Sequence, residues 1–544
     1  MERNPAIRHG IARTVALAAL LLAGTASAEP IQVTTALTPI SAATAPRIVD
    51  GAVHLTLEEA VALSLQQNLS LQVVRYDRAQ SREGVEQALG IYDFLVDGGL
   101  QFVSDTTPAA SNLDGAEVQE TDRAGFQLGL SRLLPTGATA EVAWSNGRFK
   151  TNSRFSLLNP SYSSGLDFTL SQPLLRDFGR DVTERGIVIA RNNLEISRLT
   201  FVQQVTDLLR EVEDAYWSLV EARYQLQVAE AALDLARRLH DQNRVRVDVG
   251  TLAPLELVQS EVGISTREEE IIRARFAVGN AEDRLRQLLG MDREARLWGA
   301  EIVPDSEAEI TVPLLPVERA IDKALEARPE LASRRVSRQS LEVQAAYLRN
   351  QTKPRLDLQA TYGFNGVGGD AVVRDAAGNV IASFPGGWDD ALDQITDAEY
   401  RGWTVGVGFA YPLGNRSARA QRAAAELAVE QAGTRERELE LAIATEVRAA
   451  VRAVEAAAKA IESAKASRRL AEKNLEAEQR KYENGLSTSF QVLQIQDDLT
   501  AARSRVVAAV SGYRRALSSY RRALGTLLEE SQVTVVGEDE PAAG

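Results

Sequence analysis

Residue types that do chemistry are scarce in this sequence. The 544 residues include no cysteine. That excludes thiolate metal sites, cysteine nucleophiles, a disulfide scaffold and a lipid anchor attached through cysteine. The three histidines, His9, His54 and His240, are too scattered for a zinc site or a nucleophile–base pair. His240 continues a heptad pattern and reads as a packed or interface residue. Glu268-Glu269-Glu270 reads as a solvated helix face rather than a metal site. Gly363-x-x-Gly366-x-Gly368-Gly369 is glycine-rich, but it follows a strand and leads into a polar loop. A phosphate cradle needs such a run to open a helix. No paired carboxylates stand at a spacing suited to acid–base work. The reading is therefore a non-enzyme without metal or cofactor. Two glycines stand out instead. Gly250 and Gly485 each end a very long helical pattern. Glu256 follows the first by six residues, Gln491 follows the second by six, and Gln494 stands three further on.

Composition restricts the partners. The net charge is −14. Residues 1–28 carry Arg3, Arg8, Arg13 and Glu2, a net +2, which leaves −16 on the remainder. A nucleic-acid binder needs a positive surface to displace phosphate counterions, so nucleic acid is excluded as a partner. Aromatics make up only 6% of the chain. Abundant Ala, Leu, Arg, Glu and Gln point to long helices rather than one compact core.

The elements that must position the two glycines can be read in order. Arg8 and Arg13 precede the apolar run Val15–Ala23, and Ala26-Ser27-Ala28 follows. This is the pattern of a secretory signal peptide cut after Ala28. The alternative is an uncleaved anchor, but the run is short for a bilayer core of about 30 Å. No later stretch is apolar enough for a transmembrane helix. Export without cysteine points to a Gram-negative periplasm or outer membrane. Prolines are absent between Pro173 and Pro254 and between Pro412 and Pro541, so both regions can hold uninterrupted helices. Residues 94–173 and 355–414 are rich in Gly, Ser, Asn, Asp and aromatics instead.

That order occurs twice. With an offset of 260, Leu55, Leu57, Glu58, Ala60 and Val61 fall on Leu315, Val317, Glu318, Ala320 and Ile321. With an offset of 235, Val212, Ala215, Leu219 and Ala222 fall on Val447, Ala450, Val454 and Ala457. The same offset places Gly250 on Gly485 and Gly290 on Gly525. Within each copy the apolar residues step by four and three: Phe201, Val205, Leu208, Val212, Ala215, Leu219, and Ile443, Val447, Ala450, Val454, Ala457, Ile461. This is the 3.5-residue period of a left-handed supercoil. Flanking apolar positions such as Val202, Leu209 and Tyr216 widen the stripe, which suits a helix packed between two neighbours. Gly250 and Gly485 then break the helices, so each half forms a helical hairpin with a tight tip.

The intervening segments alternate with period two. Trp403, Val405, Val407 and Phe409 face one way, and Gly402, Thr404, Gly406 and Gly408 the other. Leu356, Leu358, Ala360 and Tyr362 do likewise, as do Leu166, Phe168 and Leu170, Phe126, Leu128 and Leu130, and Ala138, Ala140, Val142 and Trp144. A soluble β-sandwich with one wet face shows the same alternation. Runs of about ten residues with aromatics near their ends, behind a signal peptide, favour an outer-membrane barrel. A few strands cannot close a wide barrel, and an open edge in lipid is forbidden, so several chains must share one barrel.

These residues resemble the TolC-like outer-membrane efflux proteins. The carriers are Leu55-Thr56-Leu57-Glu58-Glu59-Ala60 with its copy Leu315–Ala320, and Ser171-Gln172-Pro173-Leu174-Leu175 with Ala410-Tyr411-Pro412-Leu413-Gly414. The tips add Gly250-x₅-Glu256-Leu257-Val258 and Gly485-x₅-Gln491-Val492-Leu493. The resemblance implies a mainly α fold with a transmembrane β portion, a duplicated strand–long helical hairpin repeat forming a trimeric α/β-barrel channel. Residues 1–28 are then the signal peptide and 29–53 an N-terminal extension. The first repeat is 54–290, with barrel strands in 94–173 and a hairpin over 184–290. A linker with an equatorial strand spans 291–314. The second repeat is 315–528, with barrel strands in 355–414 and a hairpin over 418–528, and 529–544 gives an equatorial strand and a C-terminal tail. Glu307–Pro313 and Gln532–Gly537 are the equatorial strands expected.

The resemblance further implies a homotrimer in outer-membrane lipid that extends into the periplasm. It takes cargo for efflux or type I secretion from an inner-membrane transporter and a periplasmic adaptor docked at Gly250, Glu256 and Gly485. Two features depart from the family. Its members give two strands per half, whereas the first half here offers up to four, so an extra hairpin or enlarged loop is expected in 104–163. The family also places an acidic residue six after each tip glycine; Glu256 fits and Gln491 does not. Gln491 and Gln494 are accordingly the candidate pore constriction, without a charged gate. A structural or adhesive coiled-coil stalk without a through-channel is the other class, and the small polar strand faces argue against it.

Overall fold

The computed structural model describes residues 47–49, 52–110, 114–291, 298–305, 314–375, 379–533 and 535. The expected signal peptide, 1–28, lies outside the described residues. Strands β1 (Arg47–Val49) and β2 (Ala52–Leu55) come first. Helix α1 (Leu57–Gln67) starts on a capping box. The Thr56 side chain accepts from the Glu59 amide at 3.2 Å, and Glu59 accepts from the Thr56 amide at 2.9 Å. Half of the opening motif is thus a helix start signal. Asn68 ends α1 and caps α2 (Leu69–Leu89), accepting from the Leu71 amide at 3.1 Å.

Four strands follow: β3 (Leu95–Pro108), β4 (Val118–Leu133), β5 (Thr139–Thr151) and β6 (Leu158–Pro173). The expected excess over two strands is therefore a full additional hairpin within one sheet. A short α3 (Arg180–Thr183) leads into α4 (Arg185–Asp248), 64 residues long, or about 96 Å at 1.5 Å per residue. Helix α5 (Pro254–Leu288) returns beside it.

In the linker, β7 (Glu301–Pro304) runs parallel to β2, which pairs antiparallel with β1. The linker strand thus lies at 301–304, and residues 306–313 are outside the described residues. At the other expected equatorial strand, Gln532 follows the last helix in a turn, Val535 makes a β-bridge, and 534, 536 and 537 are outside the described residues.

The same order of elements recurs. Helices α6 (Val317–Ala327) and α7 (Pro329–Gln351) precede β8 (Arg355–Arg374). Then come β9 (Val380–Phe384), α8 (Trp388–Thr396) and β10 (Tyr400–Ala410). Helix α9 (Arg416–Glu483) has 68 residues, α10 (Ser489–Leu524) returns, and α11 (Leu527–Glu530) closes. The second-half strand pattern extends to Arg374, about twelve residues past the alternation read at Leu356–Tyr362.

The long helices bury a broad stripe. In α4 the buried side chains include Phe201, Val205, Val212, Ala215 and Leu219 of the heptad, and also Leu209, Tyr216, Trp217 and Val220 beside it. One seam cannot bury both sets. Helix α4 packs against α2, α5, α7 and α10. The second core lies among α6, α7, α9 and α10 and includes Leu331, Ile443, Val447, Val454, Tyr513, Leu517 and Tyr520.

Charged groups fasten these helices together. Arg522 of α10 reaches Asp207 at 3.0 Å, Glu446 at 2.7 Å and Glu330 at 3.4 Å. Arg328 adds Glu330 at 2.8 Å and Glu446 at 2.5 Å. Burial alone would raise the Glu330 pKa, but its bond to Arg328 and the nearby Arg522 outweigh that and hold it below the ordinary value.

Candidate functional site: hairpin tips and a two-sided sheet

Both tips are built by the same backbone device. Gly250 has φ +79° and Gly485 φ +77°, the left-handed region that glycine enters without a Cβ penalty. Around Gly250 the Thr251 amide donates to the Arg246 carbonyl at 2.9 Å and the Gly250 amide to Val247 at 2.9 Å. Around Gly485 the Leu486 amide donates to Lys481 at 2.9 Å and the Gly485 amide to Tyr482 at 3.1 Å. These paired bonds are the Schellman closure of a helix C-terminus. A Cβ at either glycine would meet nothing within 4 Å, so the requirement is conformational rather than spatial. Pro254 starts α5 after the first tip, and Thr488 caps α10 after the second, accepting from the Gln491 amide at 3.3 Å.

The two tips of one chain are tied together. The Arg246 guanidinium lies 4.7 Å from the Tyr482 ring centroid. It donates to the Tyr482 carbonyl at 3.1 Å and the Glu483 carbonyl at 3.4 Å. A cation there meets the orphan carbonyls and negative end of α9. The Tyr482 hydroxyl donates to Asn243 Oδ1 at 2.5 Å. Asn243 is fully buried at a seam position of α4 and donates to the Glu256 carbonyl at 3.4 Å. Ser489 Oγ donates to the Glu256 carboxylate. Burial and the nearby Glu256 push the Tyr482 phenol pKa up, against Arg246, so the phenol keeps its proton to donate. Further from the tip, Arg267 of α5 bridges to Asp497 of α10.

Glu256, read as a docking residue, is turned toward the second hairpin. Gln491 and Gln494 are both exposed on α10, and Ser487 Oγ lies 2.8 Å from Gln491 Oε1 and 2.5 Å from Glu478 Oε1. Hydrogen bonding from Ser487, then Lys481, holds Glu478 below the ordinary carboxylate pKa. Asp498, also exposed, stands one turn past Gln494. Val245, Val249, Leu255, Leu486 and Phe490 leave exposed apolar surface beside the turns. His240 sits between α4 and α5, its Nδ1 3.0 Å from Ser260 Oγ. The three glutamates face arginines: Glu268 reaches Arg237 at 3.0 Å, Glu270 reaches Arg267 at 3.1 Å, and Glu269 pairs with Arg273.

Sequence reasoning missed Arg246, Asn243, Tyr482 and Ser489. Asn243 had a signal: it is a polar residue at a seam position seven after Ala236, the kind that fixes register.

At the other end the strands make one sheet in the order β10-β8-β6-β5-β4-β3, with β9 attached to the far end of β8. Gly98, Leu128, Trp144, Leu166, Phe364 and Arg401 stand directly opposite one another in a row across it. Because side chains alternate, that row fixes the faces. One face carries Phe126, Leu130, Val142, Phe168, Tyr362, Trp403 and Val405. The other carries Gln127, Glu141, Ser145, Asp167, Thr361 and Thr404. Helix α8 lies on the apolar face. Its Trp388 stacks on Trp144 with centroids 6.0 Å apart and donates to Asn146 Oδ1 at 2.9 Å. The glycine-rich run belongs to β8. A Cβ at Gly366 or Gly368 would collide with the α8 segment, so these glycines admit a helix.

Residues 117–291 and 320–526 match the model of the outer membrane efflux protein family. The chain belongs to the outer membrane efflux protein family. Solved structures agree in fold. The outer-membrane channel OprN superposes with a TM-score of 0.63 at 15% identity, covering 91% of this chain and 98% of OprN. The Campylobacter jejuni channel CmeC gives 0.61 at 16%, covering 87% of this chain and 86% of CmeC. The Vibrio cholerae outer membrane protein VceC gives 0.61 at 16%, covering 86% and 96%. No match was found among curated proteins. As an outer membrane efflux protein, the chain places its two-sided sheet and its paired tips at opposite ends of the long helices. Among the described residues no helix is long and apolar enough to cross a membrane.

Proposed function

We propose that this protein is the outer-membrane duct of a tripartite efflux or type I secretion system. Three copies share one β-barrel in the outer membrane, and their helical hairpins form a tunnel into the periplasm. A periplasmic adaptor docks at the tips, and an inner-membrane transporter supplies cargo and energy. The duct itself is passive.

One observation carries this reading: the two-faced sheet. Outside the patch that α8 covers, its apolar side suits lipid, and its small, polar side suits a water-filled lumen. A sealed stalk has no use for the second. The exposed Val249, Leu255, Leu486 and Phe490 give the tips apolar surface to dock with.

Gating follows from the tip geometry. Arg246, Tyr482 and Asn243 hold one hairpin against the other in each chain. Their release lets the second hairpin swing outward. Gln491 and Gln494 line the narrowing and hold it without charge. Purified protein in planar bilayers tests the reading: discrete single-channel currents support it, and none would overturn it.

A further inference from the structure

We infer that each chain gives six strands to the barrel wall, so the trimer closes with eighteen, and that β10 of one copy pairs with β3 of the next. The inference rests on the trimeric channel reading and adds the strand number and the contact that closes the ring.

The sheet is continuous. β4 and β5 are paired along both edges for eleven or more residues, so this additional hairpin is wall and not a flap. Its apolar side chains share the face of Phe168 and Tyr362. β9 is excluded, since it pairs only with Ala371–Arg374 at the far end of β8. The six remaining strands are antiparallel throughout. The two outermost, β3 and β10, therefore run in opposite directions, and among the described residues each has one unpaired edge. Such an edge in lipid must find a partner. Two different edges on one chain make a head-to-tail contact, which closes as a ring. Six strands closing on themselves would be too narrow, since about eight are needed to leave room for side chains alone.

The register supports closure. Measured from the row through Gly98 and Arg401, the helix-side strand ends lie progressively farther away. Leu95 is three residues off, Leu133 and Thr139 five, Pro173 seven, and Arg355 and Ala410 nine. That is a drift of about 1.2 residues per strand. At about 3.3 Å per residue and about 4.8 Å between strands, the slant is roughly 40°, inside the range of about 35–45° for membrane barrels. Placing Ala410 opposite Leu95 of the next copy levels the ends at the junction, so the closed ring advances six residues over the six strand steps of each chain, a slant of roughly 35° at the lower bound of that range. The same register sets Trp403 opposite Phe102 and Val405 opposite Leu100 on the lipid side, and Gly406 opposite Gly99 on the lumen side. A one-residue slip would turn apolar side chains into the lumen. Barrel diameter grows roughly linearly with strand number, so this wall is about half again as wide as one of twelve. The exit then never limits cargo, and size selection falls to the tips.

Disulfide trapping tests the contact, because the native chain has no cysteine. Gly99→Cys with Gly406→Cys is the first pair; a Cβ at either position meets nothing within 4 Å. Leu100→Cys with Val405→Cys is the second, in the other hydrogen-bonding phase of the ladder. Gly99→Cys with Gln127→Cys, opposed within one chain, is the control. Oxidised outer membranes are denatured and run without reductant. The expected result is covalent dimers and trimers from at least one of the two test pairs, reversed by reductant and absent from single-cysteine variants. If the control closes while both test pairs stay monomeric, or close within one chain, the contact is overturned. If that happens in protein that still forms conducting trimers, the channel reading stands and only the strand count falls. If neither trimer nor conductance is found, both fall.

Discussion

At the tips, the proposed function gives a few residues separate tasks. Gly250 and Gly485 supply only a backbone conformation. Valine at both positions costs about 1–2 kcal/mol each for the left-handed turn, a local strain that leaves the distant sheet intact. Export should be abolished while outer-membrane trimers persist; unchanged export would refute a docking role. Arg246→Ala removes the cation from two α9 carbonyls and from the Tyr482 ring, so the hairpins should part more readily. Single-channel conductance should rise several-fold, and an unchanged value would place the hold elsewhere. Gln491→Asp with Gln494→Asp should increase cation selectivity and block by divalent cations, read from the reversal potential in a salt gradient. No change would mean that these residues do not line the constriction. The two glycines were legible because each stops an otherwise unbroken period. Arg246 and Tyr482 were not, because their contact spans 236 residues and depends on how two hairpins dock.

Among the helices, the heptad steps fixed the length and direction of α4 and α9, and prolines marked where each could begin. Periodicity could not say which of several adjacent stripes would be buried. That depends on neighbours from distant sequence, which is why Leu209, Tyr216 and Trp217 of α4 are covered along with the heptad. The ionic knot of Arg328, Glu330, Glu446, Arg522 and Asp207 was equally invisible, since it joins four helices. Arg522→Ala should cost about 2–3 kcal/mol, below the roughly 3–5 kcal/mol of a fully buried pair because Glu446 and Asp207 keep some water. The melting temperature would report it. Glu330 has its pKa depressed in the folded protein. Its stabilisation is therefore full above the unfolded glutamate value of about 4.3 and is lost as pH falls through the lower folded value. Stability should hold near neutrality and decline below about pH 4.3, with a shallower decline in Glu330→Gln. Equal slopes would contradict this.

For the whole molecule, the alternating strands were readable one by one, but their partners were not. The sequence left the first half open between an additional hairpin and a large loop; pairing of β4 with both β3 and β5 decides for the hairpin. Helix α8 escaped notice because its nine residues lie in the polar stretch that follows the glycine-rich run, whereas Gly366 and Gly368 make room for it. The proposed duct requires that three copies enclose one water-filled path. Native mass spectrometry in detergent should show a trimer, and a stable membrane-inserted monomer would refute a shared barrel. Conductance of the purified trimer in planar bilayers tests a through-channel most directly. A through-channel gives discrete, uniform single-channel steps that enlarge in Arg246→Ala. Correctly inserted trimers that pass no current, in wild type and variant alike, would contradict it and leave a sealed stalk in its place.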